Sequence, residues 1–116
     1  MGSDMLNISV SDVNGVRLLK LTGDLDSYTS ERLFRAAGIW LPGSNKLLVN
    51  LDDLEYIDSS GLSALVSMYL KAKGEGISMS ISCRNPRVYR VLEITGLLNF
   101  FPVEGPSPVG RLPGRG

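Results

Sequence analysis

The chain has no histidine. This removes Ser-His-Asp and Cys-His catalysis and the commonest transition-metal ligand. Its single cysteine, Cys83, rules out an intrachain disulfide and a cysteine-based zinc site. At the end of an apolar strand pattern, Cys83 reads as a small buried hydrophobe. There is no excess of either charge, because 12 Lys plus Arg balance 12 Asp plus Glu. A nucleic-acid binder normally shows a basic surplus or stripe, and neither is present. No apolar run reaches transmembrane length, and the polar start around Asp4 and Asn7 has no hydrophobic signal region. The glycine-rich phosphate-binding patterns of nucleotide sites are also missing. The expectation is a soluble, cytoplasmic protein with no cofactor or metal and no direct nucleic-acid or membrane binding. What is present is 116 residues, 43% of them hydrophobic, which suits one domain with one packed core.

In chain order, Leu6, Ile8 and Val10 alternate with Asn7, Ser9 and Ser11, the pattern of a strand with one wet face. Asn14-Gly15 is a strong hairpin signal, and Val16–Leu21 forms the returning strand. Thr22–Asp26 reads as a loop. Ser27 or Thr29 can cap a first helix, which carries Leu33, Phe34, Ala37 and Trp40 toward the core and ends at Leu41-Pro42-Gly43. Lys46–Leu51 is a buried strand. Asp52 and Asp53 read as a solvated turn, and a second helix runs from Ser60 to about Lys73. Ile77, Met79 and Ile81 alternate with Ser78, Ser80 and Ser82. Asn85-Pro86 opens a third helix with Val88, Val91, Leu92 and Thr95 as its stripe and Gly96 as its stop. Asn99–Val103 is a last short strand.

This order predicts an α/β fold with a mostly parallel sheet of four or five strands behind an N-terminal β-hairpin. The alternating serines predict helices mainly on one face, since a sheet covered on both faces has strands apolar throughout. The expected domain spans residues 1–103, and 104–116, rich in Gly and Pro, is expected to be a flexible tail.

The informative stretch is Asp58-Ser59-Ser60-Gly61-Leu62, at the passage from a buried strand into a helix. Serines there can cap the helix, or they can carry a phosphate where helix amides and dipole favour an anion. A serine nucleophile has weak support, because it would want a G-x-S-x-G elbow and a base, and the chain has neither that glycine pattern nor a histidine. A phospho-accepting receiver would need a lysine after its last strand, where Glu104-Gly105-Pro106 stands.

Three segments together resemble the signature regions of the STAS domain, and specifically of the anti-sigma factor antagonists. These are Leu21–Asp26, Leu51–Leu54 leading into Ile57–Leu62, and Val88–Leu92 with Thr95-Gly96-Leu97. The resemblance covers Leu6 to Val103 and implies a β-α superhelix and a non-enzymatic role. It implies that the protein binds an anti-sigma factor with a histidine-kinase-like ATPase fold and frees a sigma factor. That partner would act as a serine kinase on Ser59, and a serine/threonine-class phosphatase would reset the switch. Asp26, Asp58, Ser59, Ser60, Gly61 and Leu62 would form the docking rim. The resemblance also extends to non-switching STAS subunits of signalling or transport complexes. It departs at the C-terminus, where members usually continue into a final helix and 104–116 shows no helical period.

Overall fold

The structure is a computed structural model that describes residues 6–40 and 43–106. Strands β1 (Leu6–Val13) and β2 (Val16–Leu25) form an antiparallel hairpin. Its turn takes positive φ at both Asn14 and Gly15, the conformation Asn-Gly adopts at low cost. Helix α1 (Ser30–Trp40) leads to β3 (Lys46–Ile57), α2 (Ser59–Gly74) to β4 (Ser78–Ser82), and α3 (Pro86–Ile94) to β5 (Val103–Glu104). Each crossover brings the next strand in parallel, giving one sheet in the order β1-β2-β3-β4-β5.

The two sheet faces differ as the serine pattern requires. Leu19, Leu21, Leu47, Val49, Leu51, Met79 and Ile81 are buried beneath the helices together with Leu33, Leu65, Met68 and Leu92. On the opposite face Asn7, Ser9, Lys20 and Ser78 are exposed and Ser80 is half-buried. Ser82 breaks the alternation. It is buried, and its hydroxyl donates to Asp52 at 2.9 Å.

Several local expectations need correction. The Thr22–Asp26 loop is strand as far as Leu25, because Gly23 pairs with Leu54 and buried Leu25 pairs with Ile57. Asp52 and Asp53 are not a turn, since β3 continues through them to Ile57. Register shifts against β2 mark bulges in this part of β3, and a bulge re-aims side chains without ending the strand. Phe34 is exposed rather than in the core, because α1 buries only the stripe of Leu33 and Ala37. The Trp40 side chain and residues 41–42 lie outside the described residues, as does the tail at 107–116. The expected strand at 99–103 is a 3-10 turn at Leu97–Asn99 followed by a two-residue strand. Pro102, having no N–H, cannot extend the ladder toward the start of β4. Glu104, expected in the tail, pairs with Ser82.

Candidate functional site

The site forms where β2 and β3 end side by side. The Asp58 amide donates to the Leu25 carbonyl at 3.3 Å and ties the two strand ends together. Asp58 is the N-cap of α2, its carboxylate accepting from the amides of Ser60 at 2.9 Å and Gly61 at 3.1 Å. Capping therefore falls to the aspartate, and Ser59 is the first residue of the helix. Ser59 is exposed, and its hydroxyl has no hydrogen-bond partner among the described residues. Ser60 is half-buried one position further along.

Asp26 is fixed in the same way. One of its carboxylate oxygens accepts from the amides of Tyr28 at 2.9 Å and Thr29 at 3.1 Å. The Thr29 hydroxyl donates to the Asp24 carbonyl at 2.9 Å and accepts from the Asp26 amide at 2.9 Å, so it braces the bend rather than capping α1 forward. Gly61 is buried. A Cβ there would stand 2.5 Å from the Leu25 carbonyl oxygen and 2.8 Å from both Ile57 Cγ1 and Leu25 Cγ. Its contribution is to let the start of α2 lie on the end of β2. Half-buried Leu62 continues into a shallow groove with Ser59, Ser63 and Val66 on α2 and Thr95 and Leu97 opposite.

The electrostatics of this rim are one-sided. Residues 21–31 and 47–70 contain seven carboxylates and no lysine or arginine. Three of them are paired, Asp52 with Arg84 at 3.2 Å, Asp53 with Lys20 at 3.0 Å and Glu31 with Arg35 at 3.1 Å. Asp24, Asp26, Glu55 and Asp58 have no ion-pair partner among the described residues. Asp52 also accepts from the Arg84 amide at 2.8 Å, and through Ser82 it locks the loop that starts α3. Beneath that loop, burial pushes the Cys83 thiol up to about 11, where it is an inert core group.

Two exposed aromatics at the rim escaped sequence reasoning. Tyr28 is 73% exposed and Tyr56 is 50% exposed, and Tyr56 pairs across the sheet with Asp24. Tyrosine is a favoured anchor at protein interfaces. Only the bulged register of β3, which carries no sequence signal, brings Tyr56 to the rim.

The STAS domain family model matches residues 7–106, and the chain belongs to that family. Among proteins it resembles is an anti-sigma F factor antagonist of Paenibacillus polymyxa, 30% identical over 100 residues, or 84% of this chain and 86% of that protein. The crystal structure of an anti-sigma factor antagonist from Mycobacterium paratuberculosis superposes with a TM-score of 0.79 at 28% identity, covering 87% of this chain and 86% of that one. The Bacillus cell fate determinant SpoIIAA in its phosphorylated form shares the fold, with a TM-score of 0.66 at 15% identity over 90% of this chain and 96% of that one.

Proposed function

We propose that this chain is a cytoplasmic anti-sigma factor antagonist that acts by binding rather than by turnover. It docks on an anti-sigma factor with a histidine-kinase-like ATPase fold and so frees a sigma factor. Phosphorylation of Ser59 by that partner breaks the complex, and a serine/threonine-class phosphatase restores it. The observation that carries this reading is the division of labour at the start of α2. Asp58 holds the amides of Ser60 and Gly61, and the Ser59 hydroxyl is exposed with no hydrogen-bond partner among the described residues. A serine that only capped the helix would have its oxygen on those amides.

The same geometry revises how the switch works. The amides of Ser60 and Gly61, which would otherwise cradle a phosphate, are already taken by Asp58. A phosphate on Ser59 brings about −1.5 to −2 charge next to that carboxylate, on a rim where Asp24, Asp26 and Glu55 also have no ion-pair partner among the described residues. It therefore turns outward, toward the partner. Loss of about 2.8 kcal/mol at the interface weakens binding a hundredfold, and an unmatched dianion buried on docking is sufficient for that.

The test is incubation with the cognate anti-sigma factor and ATP, followed by mass spectrometry and calorimetric titration. One phosphate is expected, on Ser59 and not Ser60. The phosphorylated protein should bind about a hundredfold more weakly, while Ser59→Ala should bind like the parent. Absence of a phosphate on Ser59, or equal affinity with and without it, would leave a non-switching STAS subunit.

A further inference from the structure

We infer that the groove at the opposite end of the molecule is a second site, which takes a small organic anion with an apolar body, of the medium-chain carboxylate class. Lys46 opens β3, Ser78 opens β4 and Lys73 lies in the last turn of α2. The groove is thus remote from Ser59, about 21 Å away along the helix axis at 1.5 Å per residue. It encloses about 680 Å³, within the roughly 300–1,000 Å³ of small-molecule sites.

Its walls are mostly apolar, including Leu48, Tyr69, Met79 and Pro102. Its charged side chains are two lysines and one carboxylate. Of the four lysines among the described residues, Lys20 pairs with Asp53 and Lys71 with Glu75. The other two, Lys46 and Lys73, have no acidic partner among the described residues, and both line this groove. The carboxylate in the lining, Glu104, is held by Arg84 at 3.3 Å.

The edge of β4 adds a backbone donor. The amides of Ile81 and Cys83 donate outward to Pro102 and Glu104. Met79, two residues earlier, points its amide the same way, and that amide has no partner among the described residues because β5 begins only at Val103. Two ammonium groups with no acidic partner among the described residues, a strand-edge amide likewise unpartnered among them and an apolar floor fit a carboxylate with a hydrocarbon body better than a neutral or cationic ligand.

The test is amide NMR on the full chain titrated with octanoate, and separately with octan-1-ol, which has the same hydrocarbon body and no charge. Octanoate should give saturable shifts at Lys46, Lys73 and Ser78–Ser80 and leave Ser59 unmoved. The Lys46→Gln/Lys73→Gln double variant should bind octanoate about fivefold more weakly, as two exposed ion pairs imply, with an unchanged unfolding midpoint. Octan-1-ol should bind more weakly by a similar factor. The proposal is overturned if octanoate shows no saturable binding, if the shifts centre elsewhere, if the double variant binds like the parent, or if the alcohol binds as well as the acid.

Discussion

At the carboxyl end of the parallel strands Asp24, Asp26, Glu55 and Asp58 gather without an ion-pair partner among the described residues. At the amino end Lys46 and Lys73 stand without an acidic partner among the described residues. A formal net charge of zero conceals this separation. The two ends are also built differently. Two acidic groups of the rim, Asp26 and Asp58, are anchored by backbone amides at 2.9 and 3.1 Å on each, so their positions are preorganised. Lys46 and Lys73 are exposed and have no ion-pair partner among the described residues. Open α/β sheets normally bind at the carboxyl ends of their strands, so the docking proposed at the rim follows the rule and the site proposed at the groove adds to it.

The comparison breaks first at Gly61, where the largest effect is expected. Gly61→Ala drives a methyl group against the Leu25 carbonyl, with backbone on one side and packed Ile57 and Leu25 on the other. Overpacking of this kind should lower stability by about 1–3 kcal/mol in urea unfolding and misalign the rim enough to weaken partner binding. Gly38 in α1 is the control. A Cβ there meets nothing within 4 Å, and Gly38→Ala should leave stability the same or raise it by about 0.5–1 kcal/mol. Equal losses in the two variants would show that the closeness of Gly61 to Leu25 is not what matters.

Asp58→Ala is expected to come next. It removes the acceptor of the Ser60 and Gly61 amides and should cost about 0.5–2 kcal/mol by the same measurement. Asp58→Asn and Asp58→Ser keep a capping oxygen and should recover most of that loss while removing the charge. Partner affinity in Asp58→Asn then reports the acidic character of the rim separately from its geometry. If binding in the parent owes much to the rim charge, it should also weaken as salt rises.

Much of this structure was legible in the sequence, and the reasons differ from element to element. The hairpin was legible because Asn14-Gly15 has few alternatives. The wet sheet face was legible because period-two serine leaves little choice of register. The α2 start was legible because Asp58, the serines and Gly61 sit between two apolar patterns. The extensions of β2 and β3 were not. Gly23, Asp24, Asp52 and Asp53 are poor strand residues, and only mutual pairing across a bulged register holds them extended. Phe34 misled because α1 rests on the sheet along a narrower stripe than its composition implies. The amino-end groove could not be read at all. It depends on Pro102 ending a ladder and on which lysines happen to lack partners, both properties of the assembled sheet.

The smallest expected effect discriminates best. Serines near helix starts are usually caps, and a capping Ser59 would lose about 0.5–2 kcal/mol on truncation to alanine. Here Asp58 already accepts from the Ser60 and Gly61 amides, and the exposed Ser59 has no hydroxyl partner among the described residues. Ser59→Ala should therefore unfold within about 0.5 kcal/mol of the parent, as exposed substitutions usually do. Ser59→Asp should be similarly neutral or slightly stabilising, because a carboxylate in the first turn favours the helix dipole. In partner binding the two should diverge. Ser59→Ala should match the unphosphorylated parent, and Ser59→Asp should bind more weakly, though less so than phosphoserine, with its greater charge and extra oxygen. Unfolding and titration of the same two proteins thus separate a residue kept for stability from one kept for switching. A clear stability loss in Ser59→Ala with unchanged binding in Ser59→Asp would return Ser59 to the role of a cap.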